Sequence, residues 1–314
     1  MTTLRVLLHV AAQRDYELHS LDFSTAFLQG CLHEEIWLRR PPGFTGSFPP
    51  GTQWSLRRLV YGLRQAPREW HDTLRTTLAA LGFAPSTADP SLFLRTDTSL
   101  PLFYILVYVD DLVFATADTA GLAHVKSELQ KRHTCTDLGE LRSYLGLQIS
   151  RDRAQRTITL TQSHMVQQVL QFFDFTYSSP QATPLSTLPS DESVEPSGPY
   201  PELVGCLMYL MTCTRPDLAY PLSILARYVA PGRHRPEHMA AAKRYIALRY
   251  FLARELQQRG QLRLAYVASE ANTADIFTKA LPPGDHQRFC TLLACFALLD
   301  WSCDLLFSPT LPME

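Results

Sequence analysis

The chain has 314 residues, of which 46% are hydrophobic and 19% charged, and its formal net charge at pH 7 is −1. This length predicts about two domains with a sizeable core, and the composition excludes a disordered chain. The near-neutral balance argues against a protein held to nucleic acid by bulk charge alone, although it leaves local basic patches open. Seven cysteines without a CxxC pair indicate reduced thiols, and so a cytoplasmic or nuclear protein.

Helical and strand patterns alternate along the front of the chain. An apolar stretch predicts a helix over 4–12, and alternation of apolar and polar residues predicts a strand over 16–22. A periodic apolar stripe predicts a helix over 66–81, with Pro67 in its first turn and Gly82 as its stop signal. The front of the chain therefore predicts a mixed α and β structure.

The middle of the chain predicts further strands and helices before the composition changes. Strands are expected over 102–109, 112–115, 145–149 and 157–160, and helices over 121–132 and 163–173. Residues 177–198 are rich in proline, serine and threonine, which predicts a flexible linker. Beyond this linker, helical patterns cover 203–229, 236–259 and 273–281, with a short strand pattern over 262–267.

Two adjacent acids, Asp110 and Asp111, stand between two uncharged apolar strands. Such a pair at a hairpin turn is most often a solvated turn. The alternative is a site for a divalent cation. Crowded carboxylates repel by about 4 kcal/mol per pair at an effective dielectric of about 20, and a hard cation removes that cost. A third acid would then be needed, and Asp22 at the end of the predicted strand is the candidate.

Several short motifs occur in order along the chain at fitting distances. They are LDFSTAFL (21–28), PPGF (41–44), LVYGLRQAPREW (59–70), YVDD (108–111), DLGEL (137–141), LGL (145–147) and TRPD (214–217). No single motif would suffice, but in this order they resemble the reverse transcriptase of copia-type LTR retrotransposons. The resemblance covers about residues 2–281, and it indicates that this chain is a truncated, internally deleted copy of such an enzyme.

The resemblance implies an RNA-directed DNA polymerase that uses two-metal nucleotidyl transfer. Asp22, Asp110 and Asp111 would be its catalytic residues and would hold two Mg²⁺ ions, with Mn²⁺ as a possible substitute. Its partners would be an RNA or DNA template with a primer, and deoxynucleoside triphosphates. Phe27 stands where the family places an aromatic ring that excludes a ribose 2′-hydroxyl; plain core packing is the alternative for this residue.

The resemblance also implies residues that contact the template, the nucleotide and the primer. Together with Phe27, the residues on the template and nucleotide side would be Gly62, Arg64, Gln65 and Tyr108. The turn at Leu145 and Gly146 would grip the end of the primer. A solvated helix face is the alternative for Arg64.

The fold that the resemblance implies is an α+β right-hand polymerase. It would comprise a palm of antiparallel sheet with helices, partial fingers, a helical thumb and a remnant of ribonuclease H. The expected ranges are the palm with partial fingers over 1–176, a linker over 177–198, thumb-like helices over 199–244, the ribonuclease H remnant over 245–281, and a tail of unknown origin over 282–314. Neither a signal peptide nor a membrane-spanning segment is indicated.

The chain also departs from the family pattern. The resemblance implies that the chain begins inside the fingers region and that the middle of the ribonuclease H domain is missing, which would leave Asp275 as the lone acid of that remnant. One helix is expected to continue across the junction at 244–245. We therefore expect impaired polymerase activity and no ribonuclease H activity. The alternatives are a catalytically inert nucleic-acid-binding remnant and, from the acids alone, an unrelated metal-dependent nuclease or phosphotransferase.

Overall fold

The computed structural model describes residues 1–30, 32–39, 49, 51–175, 178, 181–185, 198–229 and 267–297. The helix expected over 236–259, with its junction at 244–245, lies outside these residues, as do most of the expected linker and of the strand over 262–267. The chain divides into two compact units, Met1–Tyr144 with Ile149–Ile158, and Leu145–Gln148 with Thr159–Glu314.

Short helices and strands alternate along the first unit. The helices are α1 (Thr2–Arg14), α2 (Ala26–Gln29), α3 (Ala66–Ala80) and α4 (Thr119–Arg132). The strands are β1 (Glu17–Phe23), β2 (Trp37–Leu38), β3 (Trp54–Ser55), β4 (Phe83–Pro85), β5 (Leu92–Arg95), β6 (Phe103–Tyr108), β7 (Asp111–Thr116), β8 (Cys135–Glu140) and β9 (Ser143–Tyr144), followed by β10 (Leu147–Asp152) and β11 (Thr157–Thr161). The predicted α+β class is confirmed.

The main sheet has six strands in the order β4-β5-β6-β7-β1-β8, and every neighbouring pair is antiparallel. A three-stranded sheet has the order β11-β10-β9, and β2 pairs with β3. In the main sheet β1 lies between two partners, so Leu21 pairs with Leu112 on one side and with Asp137 on the other. Pairing on both sides fixes the register of β1, because a one-residue slip would reverse every side chain.

Helices α3 and α4 cover one face of the main sheet. On α3, Trp70, Leu74 and Leu78 recur every four residues and are fully buried, as the apolar stripe predicted. Leu122 and Leu129 of α4 belong to the same apolar cluster. Removal from water stabilises each large apolar side chain of this kind by about 1.5–3 kcal/mol. The cluster thus fixes both helices against the sheet.

Helix α4 begins two residues earlier than the sequence predicted. The Asp118 carboxylate caps it by accepting a hydrogen bond from the Gly121 N–H at 2.8 Å. Arg95 of β5 donates to the same carboxylate at 2.8 Å. The cap therefore ties the start of α4 to the main sheet.

A buried ammonium group joins α4 to β1 and β8. The Lys126 Nζ lies 2.6 Å from Asp137 Oδ1 and 2.7 Å from His19 Nδ1. An ammonium group only donates hydrogen bonds, so Nδ1 of His19 accepts and carries no proton. Burial, followed by the Lys126 charge, lowers the pKa of His19, although the carboxylates of Asp137, Glu17 and Glu140 act in the opposite direction. The network therefore favours neutral His19.

The described part of the second unit is mainly helical. Its α-helices are α5 (Ser163–Phe172), α6 (Tyr200–Cys213), α7 (Ala219–Leu225) and α8 (Pro283–Ala297). The helical pattern over 203–229 is interrupted by Pro216, which lacks an N–H and begins a 3-10 turn over Pro216–Leu218. The α-helix expected over 273–281 is instead a 3-10 helix over Thr273–Phe277, and α8 was not predicted. Within the described ranges, none of the helices has the length and apolar character to cross a membrane.

Candidate active site

The sheet register brings together the acids that the sequence singled out. Asp22 near the end of β1 pairs with Asp111 at the start of β7. Asp110 occupies the two-residue turn between β6 and β7, because Tyr108 pairs directly with Asp111. Paired residues of antiparallel strands have Cα atoms about 4.5–5.5 Å apart. Asp22, Asp110 and Asp111, which we name the acid cluster, therefore lie at one end of the main sheet.

The backbone of the β6–β7 turn is held in an unfavourable conformation. Val109 has a φ of 55°, in a region that β-branched residues rarely occupy. Two hydrogen bonds hold the turn there: Trp70 Nε1 donates to the Val109 carbonyl at 2.5 Å, and the Phe23 N–H donates to the Asp110 carbonyl at 2.8 Å. The surrounding core thus determines where the Asp110 carboxylate lies, as expected for a strained functional turn.

The acid cluster is electrostatically crowded. Burial, and then the charges of Asp110 and Asp22, raise the pKa of the Asp111 carboxyl above its ordinary value. Burial, with further contributions from Asp137 and Asp22, also raises the pKa of the Cys135 thiol to about 11. Cys135 is therefore a neutral thiol at pH 7 and adds no thiolate to the site.

The donors of the acid cluster suit a hard divalent cation. The donors are carboxylate oxygens, which Mg²⁺ and Mn²⁺ prefer to nitrogen or sulfur ligands. A cation would also relieve the repulsion from Asp110 and Asp22 that, after burial, raises the pKa of Asp111. Among the described residues, Tyr144 has a buried hydroxyl with no hydrogen-bond partner, and Asp111 lies within its electrostatic range. A hydrated cation at the acid cluster would offer that hydroxyl a polar neighbour.

An aromatic pair lies beside the acid cluster. Phe27 on α2 is buried, and its ring centroid lies 4.5 Å from that of Tyr61. Tyr61 is 59% exposed, and its hydroxyl lies 3.5 Å from Asp110 Oδ2. Partial burial, followed by the nearby Asp110 and Asp22 carboxylates, raises the pKa of the Tyr61 phenol. Sequence reasoning identified Phe27 but missed Tyr61, whose only signal was its position directly before Gly62 in the LVYGLRQAPREW motif.

The other residues expected on the nucleotide side occupy exposed positions around this region. Gly62 has a φ of 98°, which favours glycine, and a Cβ built there meets open space. Gln65 is the residue before α3, and its amide lies 3.5 Å from Glu34 Oε2. Arg64 is exposed, and Tyr108 at the end of β6 is 55% exposed. Each of these residues is thus partly or largely accessible to a ligand.

The expected primer-grip turn belongs to the second unit. Leu145 and Gly146 both have positive φ, 49° and 74°, and they connect β9 to β10. The Tyr209 hydroxyl on α6 donates to the Leu145 carbonyl. A Cβ built on Gly146 would lie 3.8 Å from the same hydroxyl. Tyr209 therefore supports a turn whose backbone is constrained.

Asp275, the acid of the expected ribonuclease H remnant, lies in the second unit and is bound by neighbouring side chains. The carboxylate is buried and accepts hydrogen bonds from Asn272 Nδ2 at 2.8 Å and Lys279 Nζ at 2.7 Å. These contacts neutralise the carboxylate and close the 3-10 helix over Thr273–Phe277. The contacts of Asp275 fit a structural ion pair.

Another group of potential ligands lies in the second unit. One ligand atom each from Asp217, His286 and Cys290 lies within 4.8 Å of the others. Arg215 already binds the buried Asp217 carboxylate through Nε at 3.0 Å and Nη2 at 2.7 Å. A cation at this position would face the guanidinium group directly, so the arrangement is better explained as a buried ion pair.

The three carboxylates at the end of the main sheet are ligands that a hard cation prefers, so they form a candidate divalent-metal centre. Comparison with known proteins then identifies the family of the chain. Residues 1–187 match the model of the family described as reverse transcriptase (RNA-dependent DNA polymerase). The chain belongs to this reverse transcriptase family, as its motifs predicted.

Similar proteins come from transposons of plants and yeast. The retrovirus-related Pol polyprotein from transposon TNT 1-94 of Nicotiana tabacum is 34% identical over 77% of this chain and 19% of its own length. The corresponding polyprotein from transposon RE2 of Arabidopsis thaliana is 36% identical, over 79% of this chain and 17% of its own. A transposon Ty5-1 protein of Saccharomyces cerevisiae is 32% identical over 73% of this chain and 75% of its own length. The chain thus spans less than a fifth of the plant polyproteins that it matches.

Proposed function

We propose that the chain is an RNA-directed DNA polymerase module of a retrotransposon Pol polyprotein. Its substrates are deoxynucleoside triphosphates and an RNA or DNA template with a primer. The register that sets Asp22 opposite Asp111, beside Asp110 in the turn, is the observation that carries this proposal. Membership of the reverse transcriptase family supports the substrate class.

In this proposal Asp22, Asp110 and Asp111 are the catalytic residues and hold two Mg²⁺ ions, which Mn²⁺ can replace. When bound, such ions activate the 3′-hydroxyl of the primer and neutralise the leaving pyrophosphate. The chain itself orients the carboxylates: the Trp70 and Phe23 hydrogen bonds fix the turn that carries Asp110. The three carboxylates lie close together, so a cation bound among them would offset their mutual repulsion.

The remaining residues position the substrates. Phe27 excludes a ribose 2′-hydroxyl from the sugar site, and the contact of its ring with Tyr61, whose hydroxyl lies near Asp110, supports this role. Its burial in the main apolar cluster fits the alternative of plain core packing. Gly62, Arg64, Gln65 and Tyr108 contact the template or the nucleotide. Leu145 and Gly146 grip the end of the primer, a role that their constrained turn supports.

The domain assignment follows the same proposal. The main sheet with α3 and α4 is the palm, and residues 1–176 comprise the palm with partial fingers. Residues 199–244 form the thumb, and residues 245–281 are the C-terminal remnant of a ribonuclease H domain. Residues 177–198 are a linker, and residues 282–314 are a tail of unknown origin. The antiparallel sheet covered by helices on one face supports the palm assignment.

The test is incorporation of labelled nucleotide on a primed RNA template, with the full chain and Mg²⁺ or Mn²⁺. We expect the wild-type chain to extend the primer weakly, as an impaired polymerase, and Asp110→Asn to abolish this extension, because one carboxylate of the acid cluster is lost. Asp97→Asn is the matched control, since Asp97 is an exposed loop acid after β5. It should extend as the wild type does.

A second measurement, binding of the primed template without nucleotide, separates the alternatives. Template binding that Asp110→Asn leaves intact, together with no extension under any metal condition, would identify an inert nucleic-acid-binding remnant. Extension that survives Asp110→Asn would contradict the catalytic role of the acid cluster.

A further inference from the structure

Tyr61 contacts two residues of the proposed site, Phe27 through its ring and Asp110 through its hydroxyl. Its ring lies 4.5 Å from the Phe27 ring, with the planes at 56°, and its hydroxyl lies 3.5 Å from Asp110 Oδ2. One side chain thus connects the residue proposed for sugar selection with a residue proposed for metal binding. The separation of the hydroxyl and the carboxylate is at the long end of the range for a hydrogen bond.

The position of Tyr61 is fixed from both sides of its loop. Leu59, two residues before, is completely buried in the main apolar cluster and approaches Gly30 closely. Ala66, at the start of α3, is also completely buried. Gly62, with its φ of 98°, turns the chain between these two anchors. The exposure of Tyr61 is therefore the result of a well-anchored loop that directs the side chain over Phe27.

We propose that Tyr61 is a positioning residue of the nucleotide site, with separate roles for its ring and its hydroxyl. The ring holds Phe27 in place as the wall beside the sugar, and so contributes to the preference for deoxynucleotides. The hydroxyl orients the Asp110 carboxylate for a divalent cation, as hydrogen-bond partners of metal ligands commonly do. This inference rests on the proposed function.

Two substitutions separate the two roles. Tyr61→Phe keeps the ring and removes the hydroxyl, and Tyr61→Ala removes both. Because Tyr61 is 59% exposed, neither substitution opens a cavity in the core. Tyr104→Phe is the control for loss of a hydroxyl, since Tyr104 lies on β6 with its ring against Tyr16, and not in the acid cluster.

The first measurement is Mn²⁺ binding to the full chain, followed by the electron paramagnetic resonance of free Mn²⁺. We expect Tyr61→Phe and Tyr61→Ala to weaken the affinity by about tenfold, and Tyr104→Phe to leave it unchanged. Unchanged or tighter binding by Tyr61→Phe would overturn the role of the hydroxyl.

The second measurement compares the binding of dGTP and GTP to the complex with a primed template. We expect Tyr61→Ala to reduce the preference for dGTP by about tenfold, and Tyr61→Phe to retain it. An unchanged preference in Tyr61→Ala would overturn the role of the ring.

If the wild-type chain shows no Mn²⁺ binding that Asp110→Asn abolishes, the proposed function itself fails. If Asp110→Asn abolishes Mn²⁺ binding but the Tyr61 substitutions change neither Mn²⁺ binding nor the preference for dGTP, this inference alone is refuted.

Discussion

The hydrogen bond from Trp70 to the β6–β7 turn gives a sharp test of how the core positions the acid cluster. Trp70 is 1% exposed, and its indole N–H reaches the Val109 carbonyl at 2.5 Å. Trp70→Phe removes this donor and retains an aromatic ring against Phe23, whose centroid lies 5.1 Å away. Val109 would then keep its strained φ of 55° without its partner on α3.

The loss of stability can be estimated from two contributions. The lost hydrogen bond costs about 1 kcal/mol net. The smaller ring leaves unfilled space in a fully buried site, which costs about 1–2 kcal/mol more. Trp70→Phe should therefore lower the free energy of unfolding by about 2–3 kcal/mol. The control is Leu78→Ala, which changes a buried residue of α3 far from the β6–β7 turn. It should lower the free energy of unfolding by about 2–5 kcal/mol, which matches or exceeds the effect of Trp70→Phe.

Urea unfolding measures both stabilities, and primer extension measures activity at a temperature where both variants are folded. We expect Trp70→Phe to reduce extension by about a hundredfold, because a displacement of about 1 Å has that effect in catalytic sites. Leu78→Ala should retain extension within about twofold of the wild type, since it leaves the turn in place. Full activity in Trp70→Phe, despite its lower stability, would refute the claim that this bond positions Asp110.

Three further predictions concern the frame around the site. Asp118→Ala should lower the free energy of unfolding by about 1–2 kcal/mol, and Asp118→Asn by less, because asparagine keeps the cap of α4 and loses only the charge facing Arg95. Arg151→Lys should cost about 1–2 kcal/mol in the same urea assay, because one ammonium cannot reach all three acceptors of the guanidinium, the carbonyls of Ala11 and Tyr16 and the Asp15 carboxylate. His19 has a pKa below its ordinary value of 6.5, so its contribution to stability is complete above pH 6.5 and is lost as the pH falls below it. The difference in unfolding free energy between wild type and His19→Asn should therefore shrink on acidification, and parallel pH profiles would contradict this.

Where the sequence predicted structure correctly, local signals agreed with the final packing. Pro67, the stripe of Trp70 and Leu74, and the left-handed Gly82 all point to α3, and the helix has nearly the predicted bounds. By contrast, β8 was not predicted. Its residues alternate weakly, Gly139 has a φ of 72°, and most of its side chains are exposed because it is an edge strand. Edge strands are specified by pairing with a neighbour, which a local pattern does not contain.

The site illustrates the same division between local and non-local information. Asp22, Asp110 and Asp111 were predictable because acids interrupt apolar strands, and an apolar antiparallel sheet brings strand ends together. Tyr61 was not predictable in this way, because it lies in a loop without periodicity. Its contact with Asp110 depends on the simultaneous burial of Leu59 and of α3. The acids are therefore placed by the sheet, whereas the aromatic residue beside them is placed by the helix that packs on that sheet. Trp70 links the two arrangements, because the same side chain anchors α3 in the core and holds the turn that carries Asp110.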